Sequence, residues 1–248
     1  IGFEIFGSNN KQKEDREIIN TSIQVLKKSK FKKAVLKIGN VELFYLLIEK
    51  LDMPARWKNR LKKNYSNKNY FNELLKRLSS NSDLDPVFVK IDKSRYKKMV
   101  KENQKKKIAG RTLKEILERF DMKVKDPRIL STGKHNSKII NEFLKINCPI
   151  EEAYLTLNNF FKKYSLGIFV SKDFFPISKN DKKNLKLEFS ATNGRDLDFY
   201  SSMIFSIDVK INSKLHNFIT GGRYDELTSN LGFKKVSAVG AAINTNLL

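Results

Sequence analysis

The residues best suited to chemistry are Gly221-Gly222-Arg223-Tyr224-Asp225-Glu226-Leu227, followed by Ala238-Val239-Gly240-Ala241-Ala242-Ile243. Two adjacent glycines let a backbone approach another surface closely. Arg223 offers a planar fork of donors for a carboxylate or phosphate. Tyr224 and Asp225 complete a small polar cluster, and the small-residue run after it reads as a buried strand. On residue types alone the block is an anionic-ligand loop. The alternative is a glycine turn between two strands with a solvated Arg.

A second polar set stands elsewhere in the chain. Glu4 lies between Phe3 and Ile5, so if those two face a core, Glu4 faces the other side of the strand. Arg195 and Tyr200 stand just before a long alternating segment. A carboxylate, a guanidinium and phenols on one sheet face would suit an amino acid. The Glu would accept from an ammonium or imidazole N–H, and the Arg would hold a carboxylate. The plainer alternatives are a solvated Glu4 at an edge and an Arg195 paired with Asp196 or Asp198.

Periodicity supplies the elements that must position these groups. Residues 1–7 read as a strand. Residues 12–29 read as a helix with Ile19, Ile23 and Leu26 on one face. Ala34 to Ile38 reads as a strand, and Asn40 as the N-cap of a helix carrying Phe44, Leu47, Ile48 and Leu51. Residues 54–165 read almost entirely helical. They include a capping-box spacing at Thr112 to Glu115, followed by Leu113, Ile116, Leu117 and Phe120 on one face. Asp126-Pro127 breaks that run. Ile139, Ile140, Phe143 and Leu144 mark a helix stopped by Pro149. Tyr154, Leu157, Phe161 and Tyr164 mark the last.

Beyond that the period changes to two. Leu185, Leu187 and Phe189 alternate, as do Met203, Phe205, Ile207, Val209 and Ile211. Asn212-Ser213-Lys214 reads as a hairpin turn, with Leu215 to Thr220 returning. Val236 to Ile243 reads as a further buried strand, and 171–184 as a loop. The architecture is α+β. A core of residues 1–53 and 166–248 is interrupted by a helical insertion over 54–165.

Composition sets bounds. The 248 residues carry a formal net charge of +22. Only 10 of the 49 basic residues are Arg, and the lysines are dispersed, as in Lys105-Lys106-Lys107 and Lys182-Lys183. Phosphate readers favour Arg, and single-strand binders interleave aromatics with charge. The charge therefore reads as a solvated surface with salt-sensitive, nonspecific affinity for RNA, and no specific nucleic acid is expected. No apolar run is long enough to span a membrane. Cys148 is the single cysteine, which fits a reducing, cytoplasmic setting. His135 and His216 have no metal-ligand companions, so no metal or cofactor is expected.

The glycine-rich block resembles the GGRYDGL and AVGFAI blocks of histidyl-tRNA synthetase and its paralogue, the regulatory subunit of ATP phosphoribosyltransferase. Gly194-Arg195-Asp196-Leu197-Asp198-Phe199-Tyr200 is similar to the RGLDYY motif of the synthetases. Ile1 to Gly7 is similar to the segment that closes their motif 2, which implies an upstream part to the natural protein. Phe44 to Trp57, with Leu51-Asp52-Met53-Pro54, looks like the regulatory paralogue's passage. The resemblance implies a class II synthetase-like antiparallel sheet with a helical insertion. It also implies a histidine-like pocket formed by Glu4, Arg195, Tyr200, Gly221, Gly222, Arg223 and Tyr224. In it, Glu4 and Tyr200 meet the imidazole and Arg195 the carboxylate.

The chain departs from the synthetases where they continue AVGFAI with Gly-Leu-Glu-Arg. Here Asn244-Thr245-Asn246-Leu247 follows, and Leu247 has no donor for a triphosphate. The resemblance then implies no catalytic residues and a regulatory role in histidine biosynthesis. It implies a short-form catalytic phosphoribosyltransferase as partner, histidine as ligand, and self-association. A synthetase fragment and a basic RNA-binding module are the competing readings.

Overall fold

The computed structural model describes residues 1–7, 9–31, 33–80, 98, 101–102, 107–108, 110–116, 118, 130–177, 185–195 and 198–248. By backbone contacts they fall into two compact units. One comprises Ile1–Leu51, Tyr65–Lys68 and Ile139–Leu248; the other comprises Asp52–Asn64 and Asn69–Lys138.

The first unit is built on a seven-stranded sheet. Its strands are β1 (Gly2–Phe6), β2 (Ala34–Asn40), β5 (Asn147–Pro149), β6 (Leu185–Ser190), β7 (Met203–Ile211), β8 (Lys214–Arg223) and β9 (Ala238–Ile243). They stand in the order β1-β9-β8-β7-β2-β6-β5. Every pairing is antiparallel except β2 with β6, which is parallel. The expected antiparallel sheet thus carries one parallel pair.

Register sorts the side chains onto two faces. Leu36, Phe189, Phe205, Ile207, Val209, Ile219 and Val239 lie on one face and are almost fully buried. Helix α1 (Lys11–Lys28) packs against β1, β8 and β9. It buries Ile19, Ile23 and Leu26, the stripe its spacing foretold, together with Ile18. Helix α2 (Val41–Lys50) starts at Asn40, whose Oδ1 accepts from the Leu43 N–H at 3.2 Å. The opposite face is polar. Across β2, β7 and β8 it carries Lys37, Ser206, Asp208 and Thr220, with Lys37 Nζ 2.9 Å from Asp208 Oδ2.

β7 and β8 form the expected hairpin. Asn212 (φ 47°) and Ser213 (φ 66°) both take the left-handed conformation, as a two-residue turn matching strand twist requires. Within the stretch expected to be helical, β5 adds an edge strand to the main sheet through β6. Pro149 sits in β5 and immediately precedes α6 (Ile150–Lys163) instead of ending a helix. This is why the sheet unit reaches back to Ile139, further than the expected core boundary at 166.

The second unit contains α3 (Ala55–Lys63), α4 (Lys68–Leu78, all but its first residue) and the start of α5 (Leu130–Leu144). It also holds a two-stranded ladder of β3 (Lys107–Ile108) and β4 (Arg111–Thr112). The capping box is made reciprocally. Glu115 Oε2 accepts from the Thr112 N–H at 2.8 Å, and Thr112 Oγ1 accepts from the Glu115 N–H at 3.3 Å. Leu117, Phe120, Asp126-Pro127 and the 178–184 part of the expected loop lie outside the described residues.

Candidate functional site

Glu4 on β1 pairs with Gly240 on β9, Gly240 with Gly222 on β8, and Gly222 with Ile204 on β7. Directly paired residues share a face, so the Glu4 carboxylate stands over a floor made by two glycines. The floor is filled from above. A Cβ on Gly222 would come within 2.7 Å of the Tyr200 ring, and one on Gly240 within 2.7 Å of Glu4 Cγ and 3.0 Å of the Tyr224 hydroxyl. These are positions where only glycine fits.

Tyr200 and Tyr224 wall this floor. Both are buried, while Glu4 is exposed. Phe199 meets Tyr200 at 4.4 Å and Tyr224 edge-on at 6.0 Å; Phe6 meets Tyr224 edge-on at 6.3 Å. Burial pushes the Tyr200 phenol up to about 12. Burial, then the nearby Glu4 carboxylate, moves the Tyr224 phenol upward too. Both hydroxyls stay protonated at neutral pH and can donate. The site pairs one accessible carboxylate with two phenols in an aromatic wall, which suits a small ligand carrying an N–H donor and a flat ring.

Arg223 is not in it. Being next to Gly222, it projects through the other face and is 1% exposed. All five of its N–H donors are used within the chain. Nε donates to Asp15 Oδ1 (2.8 Å), Nη1 to Asp225 Oδ1 (3.0 Å) and Ser237 Oγ (2.8 Å), and Nη2 to Glu14 Oε2 (2.9 Å) and the Lys11 carbonyl (3.1 Å). Lys11 Nζ closes the cluster on Asp225 at 2.6 Å. The expected anion-binding guanidinium is instead a buried clamp between α1 and the end of β8. Gly221 is also on the helix face, where a Cβ would strike the Phe205 ring at 2.6 Å. The glycine pair therefore serves two faces, and only Gly222 serves the Glu4 side. Its partners Glu14 and Asp15 lie in the first turns of α1, far from Arg223 in sequence.

Arg195 is 6% exposed and closes the 191–195 turn. Its Nε donates to the Tyr65 carbonyl at 2.7 Å, and its guanidinium lies 4.8 Å from the Tyr65 ring centroid. Sequence reading missed Tyr65, which has no spacing relation to the motif. Asp196 and Leu197 lie outside the described residues. His135 and His216 are both exposed, on α5 and β8. Among the described residues no group of His, Cys, Asp and Glu is placed to hold a metal, and no helix is long and apolar enough to cross a membrane.

The family model for histidyl-tRNA synthetase matches residues 1–125 of the 248. The chain belongs to the histidyl-tRNA synthetase family. Within that family it is 25% identical, over 98% of its own length and 69% of the relative's, to a protein of Allorhizobium ampelinum named ATP phosphoribosyltransferase regulatory subunit. A Rhizobium rhizogenes protein of the same name is 24% identical over the same shares. A Histidine--tRNA ligase of Finegoldia magna is 31% identical, but over 43% of the chain and 26% of the ligase. Among solved structures, an ATP phosphoribosyltransferase regulatory subunit/histidyl-tRNA synthetase from Bacillus halodurans superposes on 99% of the chain with a TM-score of 0.58 at 16% identity. The chain spans 51% of that protein's length. The fold is therefore the class II synthetase-like α+β fold of this family, with its open sheet face carrying Glu4, Tyr200 and Tyr224.

Proposed function

We propose that the chain is part of a regulatory subunit of ATP phosphoribosyltransferase, acting in the first step of histidine biosynthesis without catalysing it. It works by assembling with a short-form catalytic subunit in the cytoplasm, and it self-associates. Histidine occupies the Glu4 side of the sheet, its imidazole N–H donating to Glu4 and its ring set against Tyr200 and Tyr224.

The observation that carries this reading is the extent of the likeness. Similarity to the two proteins named regulatory subunits runs over 98% of the chain, insertion included, whereas similarity to the Finegoldia magna ligase stops at 43%. Leu247 supports the same choice. It follows β9 in a short 3-10 turn (Thr245–Leu247), where the synthetases carry an ATP-holding Arg, and its side chain has no donor.

The test is to mix the full-length protein with a short-form catalytic subunit and follow phosphoribosyl transfer from ATP. A ligand shifts a partner only if it binds the assembly states with different affinity. The expected result is co-elution, activity that depends on this subunit, and histidine inhibition that also depends on it. Separate elution with a catalytic subunit fully active and fully histidine-sensitive alone overturns the reading.

A further inference from the structure

We propose that Tyr65 is the positioning residue for Arg195, and so sets the geometry of the ligand's carboxylate subsite; the ligand part of this rests on the histidine reading above. Tyr65 is 5% exposed and touches the 191–195 turn at both ends. Its hydroxyl donates to the Ala191 carbonyl at 2.8 Å, and its own carbonyl accepts from Arg195 Nε at 2.7 Å. Its ring lies 4.8 Å from the guanidinium of Arg195 and is stacked on Phe44 at 3.9 Å with a 16° interplanar angle. Phe44 is fully buried on α2, so the ring has a rigid backing.

The middle of the turn is held independently. Asn193 Nδ2 donates to the Lys37 carbonyl at 3.0 Å, and Ser206 Oγ donates to Asn193 Oδ1 at 3.1 Å. Gly194 takes φ 71° against Ile204, where no Cβ fits. The backbone of the turn is therefore fixed by the sheet, while the direction of the Arg195 side chain is set by Tyr65. A guanidinium held beside an aromatic ring with its Nε committed keeps its orientation. Burial raises the Tyr65 phenol above its usual range, so its hydroxyl remains a donor at any physiological pH.

Tyr65–Lys68 belongs to the sheet unit, yet the residues on either side in sequence belong to the other unit. The group that orients Arg195 is thus supplied by a short segment far from the family's recognisable motifs. It is a specificity element that motif comparison alone does not reveal.

The experiment compares wild type, Tyr65→Phe, Tyr65→Leu and Phe44→Leu in the full-length protein. Arginine side-chain NMR, assigned with Arg195→Lys, reads the exchange rate of the Arg195 Nε–H and the ring-current shift of its neighbouring protons. Calorimetry with histidine reads affinity, and circular dichroism checks the fold. In Tyr65→Leu the ring-current shift should vanish, Nε–H exchange should quicken, and histidine should bind about tenfold more weakly, the size of a desolvated cation–π contact. Tyr65→Phe keeps ring and carbonyl and should stay within about threefold of wild type. Phe44→Leu, which loosens the ring from behind, should fall between them and serves if Tyr65→Leu does not fold. An Arg195 signal that is unmoved in the folded Tyr65→Leu and Phe44→Leu variants overturns the positioning role. A signal that moves while histidine binds no variant, wild type included, upholds the positioning of Arg195 and overturns the histidine reading of the site.

Discussion

Arg223 and Tyr224 are adjacent in sequence and serve opposite faces of the sheet. Arg223 is locked into Glu14, Asp15 and Asp225 beneath it, while the Tyr224 hydroxyl sits beside Glu4 above it. The clamp thereby fixes the wall of the site from behind. Arg223→Ala would leave three buried carboxylates facing one another with only Lys11 to balance them. Urea unfolding should show a loss of about 3–5 kcal/mol, or no folded protein at all. Arg223→Lys, a point charge that cannot make five directed bonds, should recover only part of it.

The clamp also has a defined acid response. Burial alone would raise Asp225, but hydrogen bonds from Lys11, the Ala238 N–H and Arg223 outweigh it and hold the carboxyl below the ordinary 3.8. A depressed folded pKa gives stability that is full above the unfolded value and lost as pH falls through the folded one. Asp15 has the opposite sign. Burial raises its pKa against the pull of Arg223, so its ionisation costs stability that acid returns. Thermal melts should therefore place Asp225→Asn well below wild type at pH 7. The gap should narrow as pH drops below about 4. A gap that is constant down to pH 3 would contradict this account.

Gly240→Ala tests the floor. The new methyl would stand 2.7 Å from Glu4 Cγ and 2.9 Å from the Phe3 carbonyl, so either Glu4 or strand β1 must move. The expected outcome is a folded protein whose histidine affinity falls by about tenfold or more, measured by calorimetry, because a misplaced charged acceptor forfeits a charge-assisted bond.

The walls can be tested one group at a time. Glu4→Gln should weaken histidine binding by about tenfold, and Tyr200→Phe by a smaller factor, since a hydrogen bond to a charged group outweighs one between neutral groups. Equal binding by wild type and both variants would place the ligand elsewhere.

The adenylation reaction should be absent. Losing one charge-assisted contact to a transition state typically costs about a hundredfold or more in rate, and the family resemblance sets Leu247 at the position of that contact in the synthetases. Histidine-dependent exchange of pyrophosphate into ATP by the full-length protein, at synthetase-like rates, would contradict the regulatory reading.

Local and periodic features were legible in the sequence. The α1 stripe, the Asn40 cap, the Thr112–Glu115 box and the β7–β8 hairpin each depend on neighbours within a few residues, and each reads directly. The shared face of Glu4, Tyr200 and Tyr224 followed from alternation combined with family resemblance. What failed depended on contacts distant in sequence. Arg223's partners Glu14 and Asp15 are some 210 residues away, and nothing local distinguishes a buried clamp from a ligand-binding fork. Strand β5 is three residues long, too short for a period to show, and its identity comes from pairing with β6. Tyr65 is one of several aromatics in the stretch expected to be helical, and its role appears only once the 191–195 turn is in place.

The parallel pairing of β2 with β6 sets residues 34–38 beside 185–189. Between these neighbours the chain makes an excursion of some 145 residues, meeting the sheet once on the way at the edge strand β5. The closure entropy of such an excursion grows only with the logarithm of its length, about 0.6 kcal/mol for each doubling. The sheet is thus nearly indifferent to how much polypeptide hangs between these strands. Evolution can lengthen, shorten or exchange the part of that segment outside the sheet unit, Asn69–Lys138, at little cost to the core.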